Sequence, residues 1–142
     1  LASALLAANL LVTPQWSFQK DNSKFVPEPV AVVVSACDTD KKSKECVVEL
    51  IKKYAKQYEV PANLALEVAD CESDFKVNAL GDGGRSYGIY QFHKPTFEMF
   101  SKKLGEKLDY FSTEDNIKLA IWALGKDKGH HWSCYRKLSR SV

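Results

Sequence analysis

Between positions 68 and 75 the chain reads Val68-Ala69-Asp70-Cys71-Glu72-Ser73-Asp74-Phe75. Just upstream, Leu64, Ala65, Val68 and Ala69 recur at helical spacing, which places Glu72 near the end of an apolar helix. Three effects raise the pKa of a carboxyl group at such a place. Desolvation against a core disfavours the anion, the negative end of the helix dipole does the same, and Asp70 and Asp74 add like charge. A carboxylic acid that keeps its proton near neutral pH is what a glycosidic oxygen needs in order to leave. A Glu at a helix end is more often simply solvated, so the surrounding residues decide between the two readings.

The other reactive side chains are few. Cys37, Cys46, Cys71 and Cys134 are an even set without the C-x-x-C spacing of a redox or zinc motif. Of the three histidines, His130 and His131 are adjacent, which does not suit two ligands on one helix face. No metal and no cofactor are therefore expected. Two disulfides are expected if the chain is exported, and the spacings leave all three pairings open.

The elements that must position these groups are helical. From Ser43 onward, Val47, Leu50, Ile51, Tyr54, Ala55 and Tyr58 recur at steps of three and four, with lysines opposite. Val60-Pro61 breaks this helix, and Pro61 opens the one that ends near Cys71-Glu72-Ser73. Asn78 to Gly88 reads as a loop rich in glycine, and Pro95 opens a helix carrying Phe97, Phe100 and Leu104. Ser112 or Thr113 is the expected N-cap of a last long helix, with Ile117, Ala120, Ile121 and Leu124 as its apolar stripe and Gly125 at its end. No alternating strand pattern follows residue 43. The predicted fold class is mainly α, with a glycine-rich loop or small hairpin beside a cleft.

A chain of 142 residues with 45% apolar and 27% charged residues has the length of one domain and does not need metal or disulfides merely to fold. Its net charge of +2 excludes a strongly basic nucleic-acid binder. Residues 1–12, LASALLAANLLV, have the length and apolarity of a signal-peptide core, and Pro14, Pro27 and Pro29 punctuate a polar linker. The expected organisation is a leader remnant and linker over 1–42 and a folded domain over 43–142. The expected location is outside the cytoplasm: extracellular, periplasmic or in the cell envelope.

Cys71-Glu72-Ser73-Asp74-Phe75, the glycine loop, Ser86-Tyr87-Gly88-Ile89-Tyr90-Gln91-Phe92 and Pro95-Thr96-Phe97 follow one another in an order that resembles the lytic transglycosylase (SLT-type) domain of the goose-type lysozyme-like superfamily. In that family a Glu-Ser pair is followed by Gly-Leu-Met-Gln, and here Gly88-Ile89-Tyr90-Gln91 stands in its place. Asp115-Asn116-Ile117 and His131-Trp132-Ser133-Cys134 also look like the family. The cysteine directly before the acid, with a partner near the C-terminus, is similar to resuscitation-promoting factors. The resemblance covers roughly residues 45–138.

The resemblance implies a lysozyme-like fold and the cleavage of the β-1,4 bond between N-acetylmuramic acid and N-acetylglucosamine in peptidoglycan strands, by a monomer. It implies that Glu72 is the single acid/base and that the product carries a 1,6-anhydro ring. Ser73 would place the acid. Gly88 would let backbone approach the glycan, Ile89 and Tyr90 would offer main-chain groups to the N-acetyl arm, and Gln91 would hydrogen-bond within the cleft. Tyr87, Tyr90, Phe92 and Trp132 would line the groove, His131 would close one end, and Trp122 and Phe97 would belong to the core. The implied disulfides are Cys71–Cys134 and, as the remaining pair, Cys37–Cys46.

Two departures stand out. The family's late Tyr-Asn-x-Gly stretch, whose Tyr contacts the acid, is missing, which leaves Tyr135 or Tyr54 as candidates for orienting Glu72. Tyr90 replaces the usual Met. Two other functions compete with the transglycosylase reading. A hydrolysing muramidase would need a second carboxylate, for which Asp82 is the candidate. A glycan-binding module without catalysis would not need Glu72 at all.

Overall fold

The computed structural model describes Cys37 and residues 42–140. The leader and nearly all of the linker expected over 1–42 lie outside the described residues, which fall in one compact unit spanning 33–142. Among the described residues are five α-helices, two 3-10 turns and a small sheet, so the domain is mainly α, as the periodicity predicts.

Helix α1 (Lys44–Gln57) starts where Ser43 Oγ accepts the Cys46 N–H at 3.2 Å, and it buries Val47, Ile51, Tyr54 and Ala55. Pro61 caps the start of α2 (Ala62–Ser73), which buries Ala65, Val68 and Ala69. Asp74 takes up a left-handed conformation (φ 52°) and returns its N–H to Asp70 O, so α2 stops there and Glu72 lies in its last turn. Helix α3 (Lys94–Leu104) has Pro95 in its first turn and buries Phe97 and Phe100. Helix α4 (Thr113–Gly125) is capped by Ser112 Oγ and buries Ile117, Leu119, Ala120, Ile121 and Ala123. A helix apolar on so many sides must be enclosed. Accordingly α1 and α3 pack on α4, α2 packs on α1, and the short α5 (Ser133–Leu138) packs on α2.

Between α2 and α3 lie three two-residue antiparallel strands in the order β1 (Leu80–Gly81), β2 (Ser86–Tyr87), β3 (Phe92–His93). Leu80 faces Tyr87 and Ser86 faces His93 in the register. Strands this short show no alternation in the sequence, and the hairpin expectation rests on the glycines instead.

The connection from Tyr87 to Gln91 is fastened to α4 by one buried side chain. Asn116 Oδ1 accepts the Tyr90 N–H at 3.0 Å, and Asn116 Nδ2 donates to Tyr87 O at 3.1 Å. Gly88 must be glycine there. Its φ is +81°, and a Cβ would stand 2.6 Å from Asn116 Nδ2. Trp132 Nε1 donates to Tyr90 O at 2.7 Å from the other side.

Asn116→Ala orphans a buried N–H and a carbonyl, so it should destabilise the domain by about 1–3 kcal/mol per orphaned group in denaturant unfolding. Gly88→Ala should be destabilising too, and combined with Asn116→Ala it should cost clearly less than the sum, because the smaller side chain makes room for the new methyl group. Strict additivity would show that the asparagine is not what forbids a side chain at position 88.

Candidate active site

Glu72 is half-buried in the last turn of α2. Its Oε1 accepts the backbone N–H of Cys134 at 3.1 Å, a bond that spans 62 positions of the chain. The residue before it, Cys71, forms a disulfide with the same Cys134, with the Cα atoms 5.9 Å apart. Neighbouring residues of α2 are thus tied to a single residue of α5, one covalently and one by hydrogen bond. The cross-link closes a loop with a sequence separation of 63. In the chain-entropy account such a loop is worth ~4 kcal/mol. Cys37 and Cys46 form the second disulfide.

Burial pushes the Glu72 carboxyl above its usual range. The Cys134 N–H, Lys137 and Arg136 oppose that shift, Asp82 adds to it, and the net direction is upward. The group is both fixed in place and biased toward its protonated form.

Glu72 faces a cleft of about 520 Å³. The sheet supplies one side through Gly81, Asp82, Ser86, Phe92 and His93, with Gln91 between the strands. Thr96 comes from the start of α3, and the C-terminal segment contributes His131, Trp132, Ser133 and Arg136. Asp82 Oδ2 and His93 Nε2 form an exposed pair at 2.8 Å.

Of the residues expected in the site, Glu72, Gln91, His131 and Trp132 line this cleft, as does Phe92. Gln91 lies there with its amide already engaged. Nε2 donates to Ala79 O and Gly88 O at 3.1 and 2.7 Å, and Oε1 accepts from Ser86 Oγ at 2.8 Å. A Cβ on Gly81 would overlap that same Oε1. Gln91 therefore holds the glycine loop in shape.

The structure does not bring the other expected residues to the cleft. Ser73 Oγ bonds back to Ala69 O within its own helix at 3.3 Å. Tyr87 packs against Tyr110 and Phe111, with ring centroids 5.6 and 5.1 Å away. Gly88 is pressed against Asn116, and Ile89 and Tyr90 are fully buried in the core. Tyr90 OH donates to Ala65 O at 2.8 Å, and its main-chain N–H and carbonyl are bonded to Asn116 and Trp132. The physical reason is the close packing of this turn on α2 and α4, which buries the Ile89 and Tyr90 side chains and engages the Tyr90 main-chain groups within the protein. Phe97 is buried, and Trp122 is half-buried against Phe100.

Neither tyrosine considered for orienting the acid reaches it. Tyr54 OH donates to Glu114 Oε1 at 2.6 Å, and burial with that carboxylate pushes its pKa up to about 12. Tyr135 fills the space that a side chain on Gly129 would need. The main-chain amide of Cys134 contacts Glu72 instead, and a backbone donor leaves no residue-type signal in a sequence. His93 and Thr96 at the junction of β3 and α3, and Ser133 and Arg136 in α5, were not singled out as lining residues, because only the fold brings these two segments to one cleft.

A half-buried acid with an elevated pKa on the wall of a mostly polar cleft can give a proton to a bound oxygen and take one back. A family model described as the transglycosylase SLT domain matches residues 49–132, a span that contains Glu72 and the sheet but stops before Ser133 and Arg136. No curated protein and no solved structure matches the chain.

The upward shift has a consequence for stability. The folded state holds the Glu72 proton more tightly than the unfolded chain, whose carboxyl titrates near 4.5. Stability therefore falls as pH rises from about that value through the folded-state pKa. Glu72→Gln keeps an oxygen for the Cys134 N–H and removes this cost. The variant should melt above wild type at pH 7, and the gap should close below pH ~4.5. Equal melting temperatures across the range would contradict the shift.

Proposed function

The chain belongs to the transglycosylase SLT domain family, and on that premise we propose that it cleaves the β-1,4 bond between N-acetylmuramic acid and N-acetylglucosamine as a lytic transglycosylase. The family supports lytic transglycosylase chemistry with peptidoglycan as substrate. The mainly α fold is consistent with a lysozyme-like domain. The observation that carries the finer reading is Glu72, half-buried on the cleft wall and held by Cys134 at 3.1 Å.

In this reading Glu72 enters protonated and gives its proton to the glycosidic oxygen as the bond to the muramic C1 breaks. The departing N-acetylglucosamine leaves with that proton on its O4. The muramic 6-hydroxyl then bonds to C1, and its proton returns to the Glu72 carboxylate. The product is a 1,6-anhydro sugar, no water is consumed, and the acid ends in its starting state. One carboxyl group must work in both forms, which fits a pKa lifted toward the working pH. Burial supplies the lift, and the Cys134 amide steadies the anion between the two proton transfers.

Asp82 favours a second reading. It lines the same cleft and could activate water for hydrolysis, although it is engaged with His93. The two disulfides fit an extracytoplasmic protein. No helix among the described residues is long and apolar enough to cross a membrane. We take residues 1–42 as leader and linker, and the domain as a monomer acting on glycan strands.

Purified sacculi digested with wild-type protein should release fragments lighter by one water than hydrolytic ones, as read by mass analysis. Glu72→Gln should slow release by at least about a hundredfold, the lower range for a lost general acid. Fragments that carry an added water, lost with Asp82→Asn, would establish the hydrolase instead. Undiminished release by Glu72→Gln would end both enzymatic readings.

A further inference from the structure

The C-terminal end of the cleft holds a cation with no carboxylate partner. Arg136 lies in α5, two residues after Cys134, and its exposed side chain lines the cleft beside Ser133, Trp132 and His131. One corner of the guanidinium is fixed, because Nη1 donates to His130 O at 2.6 Å. Its other donors meet no protein acceptor among the described residues, and none of the ion pairs there includes it. Its charge is nevertheless felt at Glu72, together with that of Lys137. On the sheet side the balance differs, since Asp82 is paired with His93. The cleft is polarised, with its unsatisfied positive charge at the α5 end.

A backbone of N-acetylated sugars is neutral and gives such a cation nothing to pair with. Carboxylates occur on the branch attached to the muramic 3-oxygen. They belong to the lactyl group when it is free, or to acidic residues of the stem peptide when the lactyl group is amidated. A planar guanidinium already held at one nitrogen suits a carboxylate, because little further side-chain freedom is lost when the second partner arrives. We infer that Arg136 is a specificity residue that binds a carboxylate on the muramyl branch, so that the protein prefers strands carrying an acidic branch over neutral ones. This inference rests on the peptidoglycan reading above. Arg136 lies beyond the segment matched by the family model, so the family itself does not supply it.

The test uses soluble glycan fragments in three forms. The first keeps its stem peptides, the second has them removed by an amidase so that the lactyl carboxylate is free, and the third is stripped and then converted to the neutral methylamide. Arg136→Gln should raise KM about five- to tenfold on a carboxylate-bearing form, the range for a charge-assisted contact at a partly exposed site. Arg136→Lys, which keeps the charge but not the fork, should fall between the two. The penalty should vanish on the methylamide, for which wild type itself should show the raised KM. A penalty confined to the first form assigns the stem peptide, and one seen on the second assigns the lactyl group. The same penalty on all three forms, or on none, would overturn the inference, since the arginine would then only brace the His130 carbonyl or do nothing. Wild type cleaving none of the three forms would overturn the peptidoglycan reading, and the inference with it.

Discussion

The site depends on a double tether between the end of α2 and the start of α5. Cys134 is bonded to Cys71 through sulfur and to Glu72 through its amide. The disulfide limits how far the two segments can separate, so the amide stays within reach of the carboxyl group. The hydrogen bond in turn fixes which way the carboxyl group points. The six-residue α5 also rests on the 129–131 turn and is anchored at its start by Trp132, and the cross-link adds a covalent limit to those contacts. The acid is thus set by a main-chain group whose position is covalently limited, a more rigid arrangement than a second flexible side chain would give.

The polar residues around the cleft divide their tasks. Gln91 and Asn116 spend their hydrogen-bonding capacity on the loop between β1 and β3, and Trp132 Nε1 closes the network at Tyr90. Removing Asn116 or Trp132 takes a side-chain partner from the buried Tyr90 backbone, whereas Ala79 O and Gly88 O keep main-chain donors without the Gln91 amide. All three residues bear on the shape of the cleft wall rather than on a ligand directly. Glu72, Asp82, His93, Thr96, His131, Ser133 and Arg136 are the polar side chains on the cleft left for a substrate to meet. Their uneven charge, with an acid–base pair at the sheet and a lone cation at α5, gives the cleft a direction along which an asymmetric polymer would lie.

Much of this was legible from residue patterns, for definite reasons. The helices follow from spacing, and Ser43 and Ser112 mark their starts because each side chain serves an otherwise unpaired N–H. Glu72 stood out because it follows the apolar stripe of α2, and the order of the motifs after it decided its reading. The stretch from Tyr87 to Tyr90 misled, since residues beside a cleft and residues behind it have the same types and spacing. Whether Tyr90 faces sugar or core depends on Ala65 and Asn116, both about 25 positions away. The strands were too short to show a period. The Cys134 amide has no side chain to betray it, and Arg136 differs from the other lysines and arginines only in where the fold puts it.

The chemistry of the cleft rests on one carboxyl group that is kept partly dry and held by one amide. The direct measurement is an NMR titration that follows the Glu72 side-chain carboxyl carbon and the Cys134 amide together. Both signals should move with a single inflection, and it should lie above 4.5, the ordinary value for this group. An inflection at or below that value, or a Cys134 amide that stays still while Glu72 titrates, would mean that the carboxyl group is not both dried by burial and held by that amide.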